Sequence, residues 1–179
     1  MTLRKTLLST LLLSFAIAGN VYAETAAEKF NRVDQYIKQQ NYQAAFPIFK
    51  ELAEQGNADA QFNLGLMYAN GQGVRQDYHQ AVKWFQKAAE QGIAEAQSRL
   101  GFMYYNGKGI SQDYHQAFKW FQKAAEKGDA KAQAALGVLY LSGQGVRQNN
   151  ATGKIWFRKA CDNGYQYACD LYRQSNKGK

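Results

Sequence analysis

The chain has 179 residues, with 22 Lys and Arg against 14 Asp and Glu for a formal net charge of +8, and it holds two cysteines, two histidines and one proline. A basic balance suits an anionic surface or an acidic partner, but no nucleic-acid-binding motif accompanies it, so nucleic acid is not an expected ligand. None of the serines from Ser98 to Ser175 has a Lys three residues on, and neither H-E-x-x-H nor G-x-S-x-G occurs, which leaves the common hydrolase templates without their residues.

Residues 1–23 differ in character from everything after them. Arg4 and Lys5 precede an apolar run from Leu7 to Ala18, and Val21-Tyr22-Ala23 stands before Glu24. The pattern predicts a cleavable secretory leader, cut between Ala23 and Glu24. The run is too short for a hydrocarbon core of about 30 Å, which counts against the rival reading of an uncleaved anchor, and no cysteine follows it to carry a lipid. Loss of Arg4 and Lys5 would bring the net charge to +6.

Residues 24–56 predict a degenerate helical hairpin. Its second helix carries Tyr42, Ala45, Phe49, Ala53 and Gly56, which return 36 residues later as Tyr78, Ala81, Phe85, Ala89 and Gly92. Its first helix, with Phe30, Val33, Tyr36 and Ile37, has less of the later pattern, as expected of the outer unit of a solenoid. Pro47 is expected to kink the second helix or to mark a late start.

The block from Asn57 to Gly92 then returns as Ile93 to Gly128, with about 25 of 36 positions identical, and more loosely as Asp129 to Gly164. Self-similarity at this period marks a stacked array. Within a block, Ala60, Leu64, Met67 and Tyr68 recur at three- and four-residue steps, as do Ala81, Trp84, Phe85, Ala88 and Ala89, so each block predicts two helices with one apolar stripe apiece. Gly65, Gly101 and Gly137 fall inside the first helices, where Gly costs roughly 1 kcal/mol against Ala; their return predicts close packing that offsets that cost. Gly71/Gly73 and their equivalents form a G-x-G turn, and Gly92 and Gly128 end the second helices. Residues 165–179 predict a capping helix and a frayed tail.

The motifs A-x-A-Q-x-x-L-G-x-M-Y (58–68 and 94–104), N-G-x-G (70–73 and 106–109), D-Y-H-Q-A (77–81 and 113–117) and K-W-F-Q-K-A-A-E (83–90 and 119–126) resemble the Sel-one-like repeat family, 36-residue relatives of tetratricopeptide repeats. The third block departs from it with Asn149 for the aspartate and Thr152 for the alanine. The resemblance implies an all-α, right-handed α/α superhelical solenoid that serves as an adaptor or scaffold for protein partners. It also implies a disulfide between Cys161 and Cys169, at positions that face each other across antiparallel helices; an even cysteine count in an exported chain favours the same pairing, with a free redox pair or a metal site as the alternatives.

His79 and His115 occupy one place in consecutive blocks. Stacked layers lie roughly 8 to 10 Å apart, whereas two ligands of one zinc ion must each come within about 2 Å of it. No metal site and no cofactor is expected. Lys83, Lys87, Lys119, Lys123, Arg158 and Lys159 recur along the second helices and are expected opposite the Trp84 and Trp120 stripe, as a solvated convex face that could also meet an anionic surface.

Carried over from tetratricopeptide-like arrays, the concave face belongs to the first helices. Its positions become Asp59, Phe62, Leu66, Ala69 and Asn70, then Glu95, Ser98, Phe102, Tyr105 and Asn106, then Lys131, Ala134, Val138, Leu141 and Ser142. They differ between blocks while the packing positions do not, which suits a groove for an extended peptide or a helix with apolar anchors. The competing reading is that some of these side chains pack against the next unit. The expected function is a noncatalytic interaction scaffold of the bacterial cell envelope, periplasmic or secreted, monomeric, with at most peripheral membrane contact. The alternatives are a secreted effector or adhesin acting on host proteins, and a β-lactam- or cell-wall-binding protein with hydrolase activity.

Overall fold

The computed structural model describes residues 24–177, so the leader expected over 1–23 lies outside the described residues. Among these there are nine helices and no strand: α1 (Ala26–Lys38), α2 (Tyr42–Glu54), α3 (Ala58–Asn70), α4 (Tyr78–Glu90), α5 (Ala94–Asn106), α6 (Tyr114–Glu126), α7 (Ala130–Ser142), α8 (Asn150–Asp162) and α9 (Gln166–Lys177). Each helix packs on the next, giving an all-α solenoid of stacked hairpins. None of the described helices is long and apolar enough to cross a membrane.

Local chemistry sets the helix starts. Asp77 accepts hydrogen bonds from the amides of His79 and Gln80 at 2.9 and 3.1 Å, and Asp113 does the same for His115 and Gln116. Asn149, the variant residue of the third block, still caps through the Thr152 amide at 3.0 Å. At α1, Thr25 and Glu28 form a reciprocal capping box. Hydrogen bonds from the Thr25 amide and hydroxyl hold the Glu28 carboxyl below its usual range. Pro47 does not delay α2: the helix begins at Tyr42, capped by Asn41, and runs through the proline to Glu54.

The mid-helix glycines are explained by their neighbours. A Cβ built at Gly65, Gly101 or Gly137 would lie 2.6, 2.7 or 2.5 Å from the ring of Phe85, Phe121 or Phe157 respectively. Those three rings are buried, and burial of each contributes about 2 to 3 kcal/mol. The second glycine of each turn makes a different contact. A Cβ at Gly73, Gly109 or Gly145 would meet the backbone carbonyl of Tyr42, Tyr78 or Tyr114 at 2.2 to 2.3 Å, so each turn is pressed onto the start of the preceding unit's second helix.

The glutamine of A-x-A-Q is buried and bridges units. The side-chain amides of Gln61, Gln97 and Gln133 donate to the carbonyls of Ala53, Ala89 and Ala125 at 3.0 to 3.1 Å. Cys161 and Cys169 form a disulfide with a Cα separation of 4.7 Å, joining α8 to α9 across the same eight-residue interval. The lysines of the second helices correct the expectation of opposite faces. Lys87, Lys123 and Lys159 each lie 4.4 Å above the ring of Trp84, Trp120 and Trp156, because residues three apart on a helix are neighbours.

Candidate protein-binding surfaces

Successive first helices α5 and α7 touch each other directly, a closeness that no two second helices match. On the first-helix side two small cavities share Phe102. One, of about 120 Å³, is lined by Phe62, Glu95, Ser98, Arg99, Phe102, Asp129 and Lys131. The other, also about 120 Å³, is apolar and is lined by Phe102, Tyr105, Phe121, Ala135 and Val138. Phe102 and Val138 are 36% and 37% exposed, large apolar side chains left uncovered by the fold. Phe102 is held upright by an edge contact with Phe121, ring centroids 4.8 Å apart, and Tyr105 by a similar contact with Tyr114 at 5.3 Å.

The structure gathers Phe62, Glu95, Ser98, Phe102, Tyr105, Lys131 and Val138 around these cavities, and leaves the other expected groove residues elsewhere. Leu66 packs against the cluster beneath α4 and α5. Leu141 turns towards α8, where a Cβ on Gly153 would meet its Cδ1 at 2.0 Å. Asn106 spends its side-chain amide on the Phe102 carbonyl at 2.8 Å, and Asn70 bonds Gln72. Asp59 lines neither cavity. Ser98 lines one but is only 5% exposed, its hydroxyl donating to Asp129 at 3.1 Å, so it acts as packing more than as a free contact. Ala134 is buried beside Ala160 and Ala168. Arg99 and Ala135 were missed, although they too differ between blocks; Tyr167, 60% exposed, takes the place in α9 that Lys131 holds in α7.

A wider trough lies away from this face, between α2 and α4. It holds about 820 Å³ and is lined by Lys50, Glu54, Tyr68, Arg75, Asp77, Tyr78, His79, Lys83 and Trp84, with Gly109 at one end. Burial raises the Tyr68 hydroxyl's pKa, and the carboxylates of Asp77 and Glu54 push it the same way, so the group stays a neutral donor. His79 and His115 are both exposed, and among the described residues no group of three or more His, Cys, Asp or Glu is placed to hold a metal ion.

The profile of the Sel1 repeat matches residues 58–93, 94–129 and 130–165. The chain belongs to the Sel1 repeat family. Among solved structures, this Sel1 repeat chain resembles a protective antigen of uropathogenic Escherichia coli that displays an SLR fold, at 34% identity and a TM-score of 0.80, over 87% of this chain and 34% of that one. It also resembles a Sel1 repeat protein from Oxalobacter formigenes, at 35% identity and a TM-score of 0.74, over 79% of this chain and 58% of the other. The chain thus spans about a third of the first and somewhat over half of the second. Helicobacter pylori cysteine rich protein B shares the fold at 24% identity and a TM-score of 0.55, over 78% of this chain and 94% of that one. No curated protein sequence matches the chain. Sel1 repeat proteins are generally noncatalytic scaffolds for protein interaction.

Proposed function

We propose that this Sel1 repeat protein is an exported, monomeric scaffold of the bacterial cell envelope that binds an extended segment of a partner protein across α3, α5 and α7. The observation that carries the reading is the pair of cavities on either side of Phe102, one apolar and one lined by Glu95, Arg99, Asp129 and Lys131. An extended peptide advances about 3.3 Å per residue, so side chains two positions apart can enter neighbouring cavities of this kind. One would be apolar and the other polar or charged. The Cys161–Cys169 disulfide supports an oxidising compartment beyond the cytoplasm.

The test is a pull-down from an envelope extract with the native protein and with a Phe102→Ala/Val138→Asp variant whose helical circular dichroism is unchanged. A partner held by the native protein and lost by the variant supports the reading; equal retention by both sinks it. The resemblance to an Escherichia coli protective antigen favours a second destination, outside the cell. Recovery of the protein from culture supernatant instead of the periplasmic fraction would select it.

A further inference from the structure

The trough between α2 and α4 is set apart by a comparison the chain makes with itself. At its rim stand Lys50, Arg75 and Lys83. At the Gly109 end, the Lys108 ammonium lies 5.4 Å over the Tyr78 ring. One repeat further on, the same places are held by Gln86, Ser111, Lys119 and Gln144. Against the second trough, three of the four cations are particular to the first, and of these only Arg75 returns later, as Arg147; the groups around them, Glu54, Tyr68, Asp77, Tyr78 and Trp84, recur as Glu90, Tyr104, Asp113, Tyr114 and Trp120. At the first of these places the local contact survives the change of charge, since Gln86 donates to Glu90 at 3.0 Å where Lys50 faces Glu54.

The carboxylates of this site are already engaged. Lys50 Nζ lies 3.9 Å from Glu54, and Asp77 caps α4 through one oxygen. Arg75, Lys83 and Lys108 have no carboxylate within ion-pairing distance among the described residues. The Tyr68 hydroxyl adds a neutral donor, and the rings of Tyr68 and Tyr78 give the trough an apolar wall.

We propose that this trough is a second binding site, specific for an acidic peptide segment of a partner protein. Carboxylates of the segment meet Arg75, Lys83 and Lys108, with Lys50 shared between the segment and Glu54, and an apolar side chain lies against Tyr78. A recessed site with an aromatic wall and carboxylates of its own fits a peptide better than a flat anionic membrane, which would favour an unbroken basic surface.

The experiment measures binding of a fluorescein-labelled peptide of alternating Glu and Leu by fluorescence anisotropy, with a Lys and Leu peptide as control. The Lys50→Gln/Arg75→Ser/Lys108→Gln variant carries the second repeat's own residues, so its fold is protected. It should bind the acidic peptide about tenfold more weakly or worse, the scale of losing charge-assisted hydrogen bonds. The reverse transplant, Gln86→Lys/Ser111→Arg/Gln144→Lys, should raise the stoichiometry towards two peptides per chain. The Phe102→Ala/Val138→Asp variant should bind as the native protein does, which separates this site from the groove. Equal affinity for both peptides, unchanged binding by the first variant, or binding to phosphatidylglycerol vesicles that the same three substitutions abolish while the acidic peptide stays unbound, would each overturn the proposal.

Discussion

Two effects oppose each other at Gly101. Replacing a mid-helix Gly by Ala gains roughly 1 kcal/mol of helix propensity. The new Cβ, however, would sit 2.7 Å from two ring atoms of Phe121, a fully buried side chain that also supports Phe102. Overpacking of a filled core costs typically about 1 to 3 kcal/mol, and a shift of the Phe121 ring would also disturb its edge contact with Phe102. Gly101→Ala is therefore expected to lower the thermal midpoint by a few degrees; a raised midpoint would show that α5 and α6 can separate without loss. The return of Gly at this place made the close contact legible in the sequence. The second glycine of each turn was legible only as a backbone conformation, since nothing in G-x-G says that the Tyr78 carbonyl of the preceding unit lies against Gly109.

Between helices, the recurring join is the buried glutamine of each first helix donating to an alanine carbonyl of the second helix before it. The cysteine pair stands at the equivalent positions of the last join and replaces that hydrogen bond by a covalent one, worth on the order of 2 to 3 kcal/mol in the chain-entropy model for a loop this short. The side-chain oxygen of each glutamine, Oε1, distinguishes the units. Gln91 donates to Gln61 at 2.7 Å and Asn163 to Gln133 at 2.8 Å, but Lys127, at the equivalent place, reaches the Gly92 carbonyl instead. Gln97 Oε1 is left buried with no partner among the described residues. A buried acceptor without a donor costs about 1 to 3 kcal/mol, so Lys127→Gln, which restores the residue of the preceding unit, is expected to raise stability by about 1 kcal/mol, visible as a shift of a few degrees in thermal melting. An unchanged or lowered midpoint would show that the lysine's own contacts outweigh the orphaned oxygen. The pairing of Lys87, Lys123 and Lys159 with tryptophans could have been read from their three-residue spacing. The outer trough could not, because its cations come from α2, α4 and two turns that are distant in the chain.

At the scale of the molecule, each unit contacts chiefly its neighbours, so stability is the sum of unit and interface contributions. The interfaces decide whether the array unfolds as one body. In α9 the place of Gly65, Gly101 and Gly137 is taken by Arg173, whose side chain bonds Asp170 and the Cys169 carbonyl. A phenylalanine ring could not settle against Arg173 as Phe157 does on Gly137. In the interior, the turn at Gly109 carries the load between the first two full repeats. Its φ is +69°, and an added Cβ would lie 2.3 Å from the Tyr78 carbonyl oxygen. Alanine would suffer twice, from left-handed backbone strain of about 1 to 2 kcal/mol and from a clash with backbone that cannot turn aside. Gly109→Ala is thus expected to cost more than about 2 kcal/mol and to weaken the coupling between the layers more than the layers themselves. In urea, the native array should show coincident transitions by circular dichroism and tryptophan fluorescence. In the variant the two should separate, because Trp84 lies on one side of the damaged interface and Trp120 and Trp156 on the other. A single coincident transition shifted to lower urea would mean that the remaining contacts between α4 and α5 suffice to keep the array cooperative.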